Sequence, residues 1–193
     1  EYGADIAVAE GQPLGVAMSY GGPYVGIFTC KAQFLRQMPG RIVGKTVDTQ
    51  GRDGYVLTLQ TREQHIRRER ATSNICTSEA LVGTAVVAYL ACMGRVGLRH
   101  IAELTYHKAH YTASLIDQIP GYSLPLRGTF FQEFVVQCPI APGEVNRRLL
   151  EEGIIGGLDV SDRVPGGLLL CVTEMNTRQE IEGLAQELAR IGR

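Results

Sequence analysis

Phe130-Phe131-Gln132-Glu133-Phe134-Val135-Val136-Gln137-Cys138 is followed by a run opened by Pro142 that reaches Glu152, a glycine-rich link, Gly167-Leu168-Leu169-Leu170-Cys171-Val172 and a last run, Arg178 to Ile191. The two short apolar pieces, bounded by turn residues, predict strands. Pro142 suits the first turn of a helix because its missing N–H would be unpaired there anyway, and Val145 and Leu149 recur at helical spacing. Strands alternating with helices predict a small α/β layer for this half of the chain.

Upstream of that layer, Ser78 to Met93 is rich in Ala, Val and Leu with almost no charge, which predicts a largely buried helix. Gly94 and Gly97 interrupt it, and a more amphipathic helix is predicted from about Leu98 to Ile119, stopped by Pro120-Gly121. The first sixty residues alternate brief apolar runs with glycine-rich turns. Ile6 to Ala9 and Val25 to Thr29 read as strands, Ala32 to Gln37 as a short helix, and Arg41 to Val47 with Tyr55 to Gln60 as a hairpin. A boundary near residue 95 divides the chain into 1–95 and 96–193.

The bulk properties are those of an ordinary globular chain: 193 residues, 45% hydrophobic and 20% charged, with a net charge of -1. That balance gives no global basic field for nucleic acid or an anionic membrane. Five cysteines, Cys30, Cys76, Cys92, Cys138 and Cys171, form neither an even framework nor a Cys-x-x-Cys pair, which predicts a reducing cytoplasm. No uninterrupted apolar run reaches the ~18 residues of a membrane span. The chain opens on Glu1 rather than Met and enters an apolar stretch at once, so it reads as a piece of a longer polypeptide.

Five local patterns invite a chemical reading. Gly40-Arg41-Ile42-Val43-Gly44-Lys45-Thr46 resembles a phosphate-binding loop, but it has three residues between the glycines where four are needed and a hairpin where a helix must begin. His100, Glu103, His107 and His110 share one helix face; a single helix supplies at most two or three ligands, so a solvated face is expected and no metal. Arg62 to Arg70 carries four arginines and two glutamates, which predicts an intramolecular ion-pair network or a subunit interface. Ala71-Thr72-Ser73-Asn74 is a hydroxyl-rich turn ahead of the apolar helix, suited either to capping it or to binding a phosphate. Ser19-Tyr20-Gly21-Gly22-Pro23-Tyr24 is a tight turn where backbone can approach a ligand closely.

Taken in order, Ala9-Glu10-Gly11-Gln12-Pro13-Leu14-Gly15, Tyr20-Gly21-Gly22-Pro23-Tyr24, Met38-Pro39-Gly40-Arg41-Ile42-Val43-Gly44 and above all Leu59 to Thr77 resemble the glycine decarboxylase, or P-protein, family of the glycine cleavage system. The resemblance covers essentially the whole chain and points to the later part of subunit 1, the amino-terminal half of the family's longer proteins. It implies a fold type I, pyridoxal-phosphate (PLP) transferase-like α/β fold, with 1–95 the end of a large domain built on a seven-stranded sheet and 96–193 a small carboxy-terminal domain. It implies decarboxylation of glycine on PLP, with aminomethyl passed to the lipoyl group of the carrier H-protein.

That chemistry needs a lysine for the cofactor. Where the family's catalytic half has His-Lys after the strand, this chain has Gln12-Pro13, and Lys31, Lys45 and Lys108 lie in other motifs. The resemblance therefore implies a PLP-less subunit with no catalytic residue of its own, inactive alone, which completes the site of a lysine-bearing subunit 2 in a cytoplasmic heterotetramer. Ala71 to Asn74 also resembles the turn that, in cysteine desulfurases, reaches the cofactor phosphate of the neighbouring subunit. Thr72, Ser73 and Asn74, followed by Tyr20, Gly21 and Gly22, are the residues this implies near the partner's PLP. A non-enzymatic RNA-binding or regulatory module using Arg62 to Arg70 is the competing reading.

Overall fold

The computed structural model describes residues 2–60, 63–71 and 79–192. They divide into two compact units, residues 1–92 and 93–193.

In the first unit, β1 (Ile6–Glu10) pairs antiparallel with β2 (Gly26–Cys30), and β3 (Ile42–Val47) with β4 (Asp53–Thr58). A 3-10 turn, Ala32–Gln37, lies between the hairpins. The second hairpin closes on Asp48, whose carboxylate accepts from the Gln50 and Arg52 amides at 2.8 and 2.9 Å. One of its faces is apolar and open, with Val43, Val47, Tyr55 and Leu57 all exposed; the other carries exposed Val56 among Gly44, Thr46, Gly54 and Thr58. Next come α1 (Gln64–Arg67), a 3-10 turn Arg68–Arg70, and the start of α2 (Ala80–Asp117).

The two helices expected over 78–119 are one element with a break. Gly94, at φ 59° and ψ -176°, is its single non-helical residue, whereas Gly97 is helical. Taken whole, α2 is long and apolar enough to cross a membrane by length and composition, although charged and glycine residues interrupt its apolar runs. The expectation that residues 78–93 are largely buried is overturned. Leu81 is 85% and Val87 66% exposed, and Val82 and Val86 are the only buried apolar side chains among the described residues of this unit. Apolar composition gave the helix; among the described residues little packs on it.

The second unit holds the core. Strand order is β5-β7-β6, with β5 (Glu133–Gln137) and β6 (Leu158–Asp159) both antiparallel to β7 (Gly167–Cys171). The crossover from β5 to β6 runs through α3 (Pro142–Glu151), leaving β7 between its two ends as a split β-α-β unit, and α4 (Arg178–Ile191) follows β7. Val136, Val145, Leu149, Leu168, Ile181 and Leu188 interdigitate with Ala109, Ala113 and Ile116 from the far part of α2. The glycine-rich link hides the short strand β6. The Asn146 amide pairs with both backbone groups of Gly157, at 2.8 and 3.2 Å, and a Cβ on Gly157 would lie 2.3 Å from the Leu169 carbonyl oxygen. Only glycine lets the link pass that closely to β7. Thr177 and Glu180 cap α4 reciprocally.

Candidate functional site

The turn that follows β1 is organised by Glu10. One carboxylate oxygen accepts from the Gln12 amide at 2.9 Å and the Val25 amide at 3.0 Å, pinning the two ends of the 11–25 loop together. Gly11 donates to the Val25 carbonyl at 2.7 Å, where a Cβ would collide with the Val25 side chain. Pro13 sits at the tip of this pinned turn. Gly15, at φ +95°, lets the loop rest on α2, since a Cβ there would lie 2.7 Å from the Tyr89 Cβ.

Beside that contact runs a cleft of about 480 Å³ lined by Gly15, Val16, Ala17, Leu81, Ala85 and Ala88, among others. Its one hydroxyl, Thr84, donates to the Ala80 carbonyl at 2.9 Å. The lining suits an apolar side chain rather than a phosphate. Sequence reasoning missed this cleft; the signal was the small residues Thr84, Ala85 and Ala88 on a helix expected to be largely buried.

Further along the loop, Tyr20 (φ 49°), Gly21 (φ 139°) and Gly22 (φ 118°) are three successive residues with positive φ. The Gly21 amide donates to the Tyr24 hydroxyl at 3.1 Å, and the Ser19 hydroxyl donates to the Gly22 carbonyl. The Tyr20 side chain is 86% exposed, and Tyr20, Gly21 and Gly22 do not line the cleft. Thr72, Ser73 and Asn74 lie outside the described residues, as do Arg62 and Cys76.

All three lysines of the chain are committed elsewhere. The Lys31 ammonium donates to Asp5 at 2.7 Å, Lys45 pairs with Asp53 at 2.8 Å, and Lys108 donates to the carbonyls of Glu174 and Asn176. Glu10, the acid of the loop, is likewise engaged, by backbone amides.

In the second unit, the histidine face is dispersed among separate contacts. Glu103 pairs with Arg99 at 2.7 Å, which holds its carboxyl below the usual range. His110 lies 3.1 Å from the Phe130 carbonyl and stacks on the Phe130 ring. No group of three His, Cys, Asp or Glu is placed to hold a metal among the described residues. A groove of about 270 Å³ between the helices is lined by Leu104, His107, Lys108, Tyr111, Arg178 and Ile181. The Arg178 guanidinium sits 5.6 Å above the Tyr111 ring while pairing with Glu182.

Residues 1–188 match the family described as glycine cleavage system P-protein. The chain belongs to that family. It is 54% identical over 192 residues to a protein named probable glycine dehydrogenase (decarboxylating) subunit 1 from Desulforamulus reducens, covering 98% of this chain and 43% of that one. A protein of the same name from Thermomicrobium roseum is 51% identical, with 97% and 43% covered. The chain therefore spans about 43% of the length of the curated P-protein relatives it matches. A solved glycine decarboxylase (P-protein) in inhibitor-bound form superposes with a TM-score of 0.93 at 40% identity, over 98% of this chain and 44% of that one. A C-DES mutant with glycine covalently linked to its PLP cofactor gives a TM-score of 0.57 at 17% identity, over 88% and 43%, a likeness of fold alone. The fold is that of the fold type I PLP-dependent transferases.

Proposed function

We propose that the chain is part of the PLP-less subunit 1 of a glycine dehydrogenase (decarboxylating), and that it completes the active site of a lysine-bearing subunit 2. The observation that carries this is the state of its lysines: Pro13 occupies the turn after β1, and Lys31, Lys45 and Lys108 are each tied to other groups. PLP, held by the partner, supplies an electron sink for loss of the glycine carboxylate. The aminomethyl product goes to the lipoyl group of an H-protein, and the assembly is a cytoplasmic heterotetramer that binds neither nucleic acid nor membrane.

This chain's own share is to border and position. The glycine turn at 19–24 presents close-approach backbone and the exposed Tyr20 ring, and the Glu10 clamp fixes the loop that carries it. Thr72, with Ser73 and Asn74, supplies hydroxyl and backbone donors to the cofactor phosphate.

The test is co-expression with the lysine-bearing subunit. Glycine decarboxylation should require both chains, and borohydride reduction with PLP should leave a pyridoxyl adduct on the partner but on no lysine of this chain. In the assembled protein, Thr72→Val removes a charge-assisted hydrogen bond worth roughly 1.5–3 kcal/mol, so PLP affinity should fall roughly ten- to a hundredfold. If Thr72 acts only as a helix cap, thermal stability falls by ~1 kcal/mol and PLP affinity is unchanged, which ends the cofactor role.

A further inference from the structure

The two compact units divide between Cys92 and Met93, inside α2 rather than in a loop, and within two residues of the break in that helix. Gly94 takes φ 59° and ψ -176°, a combination essentially reserved for glycine, while α2 keeps helical torsions on both sides of it. A Cβ at position 94 would meet no atom within 4 Å outside its own stretch of helix, so torsion rather than crowding is what calls for glycine there. The neighbour across the break is adaptable too. Met93 lies along Gly97, where a Cβ would come 3.1 Å from the Met93 Cε, and an unbranched thioether repacks readily.

Each side of the break is tied to its own unit. Before it, Tyr89 supports the 11–25 loop at Gly15. After it, the Thr105 hydroxyl donates to the Glu174 carboxylate at 3.3 Å and accepts from the Glu174 amide at 3.2 Å. The Lys108 ammonium donates to the Asn176 carbonyl at 2.6 Å, the Tyr111 hydroxyl donates to Glu182 at 2.7 Å, and Ala109, Ala113 and Ile116 belong to the core of the second unit. An unbroken helix would join these two sets of contacts as one rod. Gly94 instead puts two soft torsions between them.

We infer that Gly94 is a hinge on which the second unit swings as a body. The far part of α2 carries the 172–177 turn and the core with it, while the near part and the pinned 11–25 loop keep their contacts. The second position is the one in which Gly94 takes helical torsions and α2 runs straight, a conformation as open to glycine as the broken one. Exchange between the two belongs to the μs–ms motions of hinged domains. The hinge holds whether or not the two-subunit reading does.

The test is double electron–electron resonance on the full chain, with spin labels at Leu81→Cys and Arg99→Cys, both exposed, and the native cysteines replaced by alanine. An unbroken α-helix sets these positions ~27 Å apart along its axis. The labelled parent should give two populations of distance, one near that value and one shorter. Gly94→Ala disfavours the broken torsions and favours helix, so it should collapse the distribution onto the longer distance. Gly97→Ala, at a glycine with helical torsions whose near contact is the yielding Met93 side chain, should leave both populations in place. A single narrow distance in the parent overturns the hinge, since a long one means a rigid rod and a short one a fixed elbow. Two populations that persist in Gly94→Ala overturn it as well, because the bending then lies elsewhere in the helix. The parent's own distribution decides even where Gly94→Ala fails to fold.

Discussion

Arginine behaves differently in the two units. In residues 93–193, Arg99, Arg147, Arg148, Arg163, Arg178 and Arg190 pair with carboxylates, most of them one helical turn away, while Arg95 and Arg127 have no ion pair among the described residues. In residues 1–92, Arg52 pairs while Arg36, Arg41, Arg67, Arg68 and Arg70 have no ion pair among the described residues. Apolar side chains divide the same way, with the core cluster lying wholly in the second unit and Leu81, Val87, Val43 and Tyr55 exposed in the first. The second unit has a core and pairs most of its arginines while still exposing Val96, Ile155 and Met175; the first has almost no core and pairs few.

The severest trial of that contrast is to separate the units. Residues 93–193 expressed alone should give a cooperative thermal transition by circular dichroism, and residues 1–92 alone should bind an apolar dye and melt without one. Equal cooperativity in both pieces would dissolve the distinction.

Single substitutions sharpen it. Leu149→Ala, at a fully buried position in the second unit, should cost about 2–5 kcal/mol in a denaturant titration. Val87→Ala, exposed on α2, should cost within about 0.5 kcal/mol.

Alkali should also find the second unit first. Burial pushes the Tyr122 hydroxyl up to about 12 and the Cys138 thiol from 9.0 to about 11. Both groups are neutral when folded and ionise more readily when unfolded, so their contribution is intact below about pH 9 and is lost as pH rises through 11 and 12. Melting temperature followed from pH 8 upward should fall in that window, and Cys138→Ala should remove the lower part of the fall. Thr177→Ala opens the α4 capping box at a cost of ~1 kcal/mol and lowers the melting temperature without altering the pH profile.

What the sequence disclosed follows from which signals are local. Pro142 at the head of α3, the strand runs of β5 and β7, and the α4 span were readable because each depends on residues within one element. β6 was not, since two residues in a glycine-rich link carry no period and gain strand character only from β7. Burial of the first part of α2 was misjudged because apolar composition says what a helix can pack against, not whether a neighbour is there. The internal pairing expected over Arg62–Arg70 is not met at Arg67, Arg68 and Arg70 among the described residues, although Glu69 stands exposed between them, because adjacency in sequence does not by itself bring charged ends together. In the site, Pro13 was marked only by the resemblance, which sets it where the family's catalytic half has a lysine, while the Glu10 clamp and the cleft along α2 depend on the fold bringing distant residues together.

The sheet of the second unit has one further consequence, for how the protein fails. Its β6 margin is two residues long, and its β5 margin is partly occupied by the Ser123–Gln137 bridge, so it offers a poor template for another chain's backbone. The β3–β4 hairpin has six-residue strands and an exposed apolar face, with no third strand beside it among the described residues. When molecules of this chain cross-seed into fibrils, the ordered nucleus should form at Ile42–Val47 and Asp53–Thr58 and leave the small sheet as a folded passenger on the fibril surface.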